Sequence, residues 1–211
     1  MNPLEFSWDE RYDCEEYVYG TEPNAFLRAC ADRLRPGRTL SLAEGEGRNA
    51  VFLAARGHRV TAVDASAVGL AKAARLARAR GVEIETLVAD LADYAIAPAA
   101  WDHIVSIFCH IPPAARARLH RQVVAGLKPG GLLVLEAYTP AQVGRGTGGP
   151  PVPELTMTLE ALREELAGLE FLHARELERE VVEGRYHTGT GSVVQVLARK
   201  GGADPSGPGQ P

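Results

Sequence analysis

Carboxylates stand beside glycines at one turn of this sequence, and their charge limits what can bind there. The stretch Leu42-Ala43-Glu44-Gly45-Glu46-Gly47-Arg48-Asn49-Ala50 contains Gly45-x-Gly47-x-x-Ala50, which matches a dinucleotide-binding fingerprint. A pyrophosphate in such a turn lies against a helix N-terminus, where Glu44 and Glu46 would repel it. A ligand carrying an ammonium and a sulfonium suits the turn better. Glu44 can hydrogen-bond the ammonium, while Gly45 and Gly47 let the backbone approach closely. Asp64 lies about 20 residues beyond the glycines, placed to accept both hydroxyls of a ribose. Asp90 can accept an adenine amino group, with Leu91 near the ring. Each position has a plainer alternative: solvated acids on a tight turn, a helix cap at Asp64, a strand-end turn acid at Asp90.

These residues matter only if secondary structure brings them together. Short apolar runs predict buried strands at Thr39–Ala43, Arg59–Val63, Glu83–Val88, His103–Phe108 and Leu132–Ala137. Between them, Arg48–Arg56 reads as a helix ending at Gly57. Ala67–Arg80 reads as another, capped by Ser66 and stopped by Gly81. Pro112 and Pro113 open a further helix with Leu119, Val123 and Leu127 on one face, ended by Lys128-Pro129-Gly130-Gly131. Such alternation implies a parallel sheet with helices on both faces, and ligands then bind at the carboxyl ends of the strands. Pro23–Leu34 reads as a helix before the first strand and Leu159–Leu166 as one after the fifth. Strands at Glu170–Glu176 and Ser192–Arg199 would close the sheet as an antiparallel edge pair.

A chain of 211 residues suits one domain, taken as residues 1–200 with residues 1–35 as an N-terminal helical segment; 201–211 reads as a disordered tail. The formal charge of −4 argues against a nucleic-acid partner. Cys14, Cys30 and Cys109 form no CxxC pair, and the histidines show no metal-ligand spacing, so no metal is expected. The acidic start excludes a signal peptide and no run is long enough for a membrane span, giving a cytoplasmic expectation.

Taken in order, the Glu44–Gly47 turn, Asp64, Asp90-Leu91 and Leu127-Lys128-Pro129-Gly130-Gly131 resemble a class I S-adenosylmethionine-dependent methyltransferase over roughly Pro36 to Tyr138. Three stretches are similar to small bacterial enzymes of the tellurite-resistance methyltransferase group: Trp8–Tyr12 with Tyr17–Asn24, Leu42–Ala50, and Ser106–Pro112. The resemblance implies a Rossmann-like, doubly wound α/β fold with a seven-stranded sheet, mostly parallel with an antiparallel C-terminal strand. It implies S-adenosylmethionine as cofactor, with Ala65 and Phe108 added to its binding residues. The aromatic N-terminal segment (Trp8, Tyr12, Tyr17, Tyr19) is either a lid over the cofactor or a helix packed on the sheet edge, and the resemblance implies the lid. Many family members have a third glycine where this chain has Arg48-Asn49; Asn49 could bind the methionine carboxylate or narrow the pocket.

Methyl transfer is an in-line displacement driven largely by alignment, and a base is required only for a protonated acceptor. His110, just after the fourth strand, is the candidate base, with ordering of the Pro112–Pro113 turn as its alternative role. Tyr138, after the fifth strand, is placed to line the acceptor pocket. Tyr186 and His187 are expected at the surface of a loop. Arg145 to Pro151 offers an arginine and a backbone nest for an anionic acceptor, or is a plain connecting loop; together with the subgroup resemblance it implies a small, soft or anionic nucleophile such as a thiol or a chalcogen oxyanion. The expected partner is a small-molecule methyl acceptor, handled by a monomer or homodimer. A nicotinamide-dependent oxidoreductase and a non-catalytic S-adenosylmethionine sensor are the competing readings.

Overall fold

The computed structural model describes residues 7–202. A seven-stranded sheet has strands β1 (Arg38–Leu42), β2 (Arg59–Asp64), β3 (Glu85–Val88), β4 (Trp101–Ile107), β5 (Leu127–Tyr138), β6 (Leu169–Val182) and β7 (Thr188–Lys200) in the order β3-β2-β1-β4-β5-β7-β6. β1 to β5 pair parallel; β7 runs antiparallel to both β5 and β6. The helices are α1 (Trp8–Tyr12), α2 (Ala25–Cys30), α3 (Arg48–Ala55), α4 (Ala67–Ala79), α5 (Pro113–Gly126) and α6 (Leu159–Glu165). This is the doubly wound fold with an antiparallel last strand that the family resemblance implies. Leu40, Ile104 and Val134, on the central strands, are fully buried, as strands covered on both faces require.

Local chemistry explains the boundaries. Ser66 caps α4 by accepting from the Gly69 amide at 2.9 Å, and Gly81 follows the helix at φ 67°. Gly57 does the same after α3. The expected turn at Lys128–Gly131 is drawn into β5 as an irregularity. Trp101 pairs with Leu127 and the ladder resumes at His103 with Leu132, leaving those four residues unpaired to β4. The helix expected at Pro23–Leu34 is α2 followed by a 3₁₀ turn at Ala31–Arg33.

The largest departure lies at the C-terminal edge. β6 and β7 are 14 and 13 residues long, well beyond the predicted Glu170–Glu176 and Ser192–Arg199. The run Glu176-Leu177-Glu178-Arg179-Glu180-Val181 continues β6 past the predicted end, its residues alternating in exposure along the strand. The connecting loop therefore shrinks to residues 183–187. Of the predicted tail, 203–211 lie outside the described residues, as does 1–6 of the N-terminal segment.

Candidate active site

Strand order reverses between β1 and β4, and the crevice at their carboxyl ends is where doubly wound sheets take ligands. Two non-glycine residues with positive φ border it. Ala43 follows β1 at 51° and Phe108 follows β4 at 54°. Such backbone is costly and tends to collect at functional sites.

In the turn after β1, Gly45 has φ 60° and Gly47 φ 96°. A Cβ on Gly47 would stand 2.6 Å from Ala73 on α4, and one on Gly45 would stand 2.6 Å from the Tyr12 hydroxyl. Gly47 thus serves close helix packing, and Gly45 leaves a cradle over the turn. Asp64 accepts from the Gly45 amide with one carboxylate oxygen and from the Ser66 amide with the other, each at 2.8 Å. Burial raises its pKa, while the Ser66, Gly45 and Ala65 amides oppose the shift. Lone pairs remain on both oxygens for a diol.

Glu44 differs from expectation. It does not present an open carboxylate: Oε1 accepts from the Asn49 and Ala50 amides at 3.0 and 2.9 Å, and Oε2 accepts from the Ser41 hydroxyl. It caps α3 from within the turn, and burial pushes its carboxyl up to about 7 despite those bonds. Glu46 is not a loose repelling charge either; it is buried against Lys72 Nζ at 2.5 Å. Asn49 Oδ1 accepts from the Asn24 amide at 2.9 Å, tying α3 to the N-terminal segment. Asp90 is exposed and accepts from the Ala92 amide at 2.8 Å, as a strand-end turn acid does, while the neighbouring Leu91 is buried.

Residues 7–24 are clamped over this turn. Lys72 Nζ, beyond its pairing with Glu46, donates to the carbonyls of Tyr12 at 3.3 Å, Cys14 at 3.0 Å and Glu16. Tyr17 donates to the Lys72 carbonyl at 3.1 Å, and the Tyr19 amide donates to Glu46 at 3.2 Å. Asp9 accepts from the Ser66 hydroxyl and the Val68 amide at the start of α4. Trp8 stacks on Tyr12 with ring centroids 5.7 Å apart, and Tyr12 meets Tyr19 edge-on at 6.2 Å. Three of the four aromatic residues of the predicted lid, Trp8, Tyr12 and Tyr19, are therefore neighbours.

An aromatic group lies beyond, at the ends of β4 and β5. Phe108 stacks on Tyr138 at 4.5 Å, and Tyr138 is fully buried. His110, expected as a base, gives both ring nitrogens to the backbone. Nδ1 donates to the Leu155 carbonyl at 2.8 Å and Nε2 accepts from the Tyr138 amide at 3.4 Å. Burial drives its pKa down to about 4. His187, expected at the surface, is instead buried, 4.6 Å from the Tyr19 ring and 4.8 Å from Phe108. The tight 183–187 turn swings it inward, whereas a longer loop would have left it outside. Arg145 does not face an acceptor; its guanidinium pairs with Glu178 at 2.5 Å and donates to the Ala141 carbonyl.

Behind the aromatic group sits a balanced charge network not foreseen from the sequence. Arg48 pairs with Glu183 at 2.6 Å, and Arg179 bridges Glu136 and Glu183. Asn24 donates to both Glu136 and Glu183, and Gln195 donates to Glu136. Its members come from α3, β5, β6, β7, the 183–187 loop and the N-terminal segment, so spacing along the chain carries no trace of it. Lys72 gives only one faint hint, a cation among the alanines of α4. Among the described residues no cluster of three metal-ligating side chains occurs, and no helix is long and apolar enough to cross a membrane.

With Glu44 and Glu46 both engaged, what the turn offers a ligand is its glycines, the free acceptor positions of Asp64 and the aromatic rings of Trp8, Tyr12 and Tyr19 nearby. Residues 39–131 match the methyltransferase domain family. No curated protein matches the sequence. Among solved structures, one reported for the conversion of a disulfide bond into a thioacetal group during echinomycin biosynthesis superposes with a TM-score of 0.73 and 19% identity, covering 94% of this chain and 92% of that one. TehB from Haemophilus influenzae gives 0.72 and 21%, covering 92% and 67%. The 1,6-didemethyltoxoflavin-N1-methyltransferase of Burkholderia thailandensis, with S-adenosylhomocysteine bound, gives 0.60 and 21%, covering 84% and 79%. Over residues 39–131 the chain is thus similar to the methyltransferase domain family, and it shares its fold with the solved structures above.

Proposed function

We propose that this enzyme methylates a small molecule held at the carboxyl ends of β4 and β5, beneath the N-terminal segment. The observation that carries the reading is the clamp on residues 7–24. Lys72 grips three of their carbonyls and Glu46 a fourth backbone group, so the site is roofed and a polymer could not thread it. The names of two similar structures, one concerned with echinomycin and one with didemethyltoxoflavin, also point to small acceptors.

Asp64, with Ala65, takes the ribose hydroxyls. Leu91 and Phe108 flank the adenine, whose amino group Asp90 meets. Gly45 and Gly47 admit the methionine portion, with Glu44 fixing the turn and Asn49 the roof above it. Trp8, Tyr12 and Tyr19 cover the sulfonium with aromatic faces. S-adenosylmethionine supplies an electrophilic methyl group; the protein's part is alignment and exclusion of water.

Calorimetry with S-adenosylmethionine, S-adenosylhomocysteine and NADH tests the cofactor, and release of S-adenosylhomocysteine over an acceptor panel tests the activity. Binding of the two adenosyl ligands but not NADH, with turnover of at least one small acceptor, is expected. Binding without turnover on any acceptor would leave a sensor in place of an enzyme.

A further inference from the structure

Apart from atoms held in ion pairs, two buried side-chain polar atoms among the described residues at the carboxyl end of the sheet lack a hydrogen-bond partner: Tyr138 Oη and His187 Nδ1. Buried polar groups are nearly always paired, and exceptions call for an explanation. These two belong to rings that meet edge to face with centroids 5.4 Å apart. Phe108 and Tyr19 complete the walls. The charged neighbours are already engaged. Arg48 is paired with Glu183, Arg11 donates to the Tyr19 hydroxyl at 3.1 Å, and His110 is held by backbone at both nitrogens. The surroundings favour a flat, largely apolar molecule with a protic group over a simple anion.

We propose that Tyr138 and His187 form the acceptor subsite, and that it takes a small planar molecule bearing a phenolic hydroxyl, an aromatic thiol or a ring N–H. The inference rests on the methyl-transfer reading and names its substrate class. Tyr138 orients the acceptor by hydrogen bonding, and His187 Nδ1 receives the proton of the nucleophile. The nucleophile's lone pair forms the bond to the methyl carbon; the carbon–sulfur bond breaks with its electron pair returning to sulfur. The proton ends on the imidazole, which later releases it to water. Burial foremost, then Arg48, holds the His187 pKa down at about 3, with His110 and Arg11 acting the same way and Glu183 opposing. The ring is therefore neutral and able to accept at physiological pH. A weak base suffices because the nucleophile turns strongly acidic as the new bond forms.

Entry lies under residues 144–149. A Cβ on Gly148 would stand 2.4 Å from the Tyr186 carbonyl oxygen and 2.8 Å from His187, and one on Gly149 would stand 2.9 Å from the Tyr138 ring. This loop seals the pair, and it must lift for an acceptor to reach them.

The test uses the full chain with ¹⁵N-labelled histidine, with and without S-adenosylhomocysteine, titrated with phenol, thiophenol and benzimidazole; cyclohexanol and acetate serve as controls. The His187 signal is assigned from its absence in His187→Asn. At least one planar probe is expected to shift the His187 Nδ1 resonance. The isosteric variant Tyr138→Phe should weaken that probe about tenfold while S-adenosylhomocysteine affinity stays within twofold. With a turned-over acceptor, His187→Asn should lower kcat by about 10²-fold. Probes that leave His187 unmoved, or that bind Tyr138→Phe as well as the parent, would overturn the subsite even where S-adenosylhomocysteine binds. Probe binding at His187 without any adenosyl ligand binding would instead keep the subsite and remove the methyl-transfer reading.

Discussion

At the scale of single residues, the acidic positions divide by what their oxygens already hold. Asp64 retains acceptor capacity after binding two amides, so Asp64→Ala should weaken S-adenosylmethionine by about 1.5–3 kcal/mol in calorimetry. Unchanged affinity would take Asp64 out of the site. Glu44 makes a different prediction. Its folded pKa of about 7 lies above its unfolded value, so the folded chain binds the proton more tightly. Its favourable contribution is then complete below the unfolded pKa and is lost as pH rises through 7. Denaturant unfolding at pH 5 and pH 8 should show the parent losing about 2–3 kcal/mol that Glu44→Gln does not lose. Residue types and spacing made the turn, Asp64 and Asp90 legible as a group. They did not reveal that Glu44 faces α3, because a side chain's direction inside a turn depends on the helix packed behind it. Nor could they tell His110 from His187: one is fixed by the Leu155 carbonyl 45 residues away, the other turned inward by a hairpin whose length was misread.

Among elements, two junctions should control stability. α1 and its following loop rest on α4 through Lys72. Lys72→Met leaves Glu46 buried without its cation and should cost about 3–5 kcal/mol. Cleavage by trypsin at Arg11 should quicken in parallel. The paired change Lys72→Met with Glu46→Met should recover most of the stability but not the resistance to trypsin, since the carbonyls stay unclamped. If the single variant cleaves no faster, the clamp does not hold the segment. At the other junction, Glu165 on α6 pairs with Arg116 on α5 at 2.8 Å and with His120 at 2.6 Å. The hydrogen bonds from His120 and Arg116 outweigh burial and bring its pKa down to about 2. A depressed carboxylate contributes above its unfolded pKa and loses that contribution as pH falls towards 2. Acid titration of stability should therefore be steeper for the parent than for Glu165→Gln, by about 1–3 kcal/mol over that window. Equal slopes would deny the pair any part in docking α6.

For the molecule as a whole, alternating periods and glycine stops were enough to foresee a parallel sheet with an antiparallel edge pair, while the strand order is seen only in the structure. What they missed, the extra length of β6 and β7, came from charged residues that alternate along a strand, with Arg179 and Val181 turned inward. A ligand that joins the roof to the glycine turn should stabilise the entire fold. At 100 times its dissociation constant, S-adenosylhomocysteine adds about 2.7 kcal/mol, or roughly 5–11 °C in Tm for a chain of this size. A shift under 1 °C at saturation would mean that the adenosyl ligand is not bound by the folded form. The ammonium of Lys72 has one more consequence. It grips the roof through main-chain oxygens, which every residue type carries, so residues 13–16 can vary freely without unlatching it. Descendants of this chain could thus rewrite the side chains of residues 13–16 while inheriting the same latch.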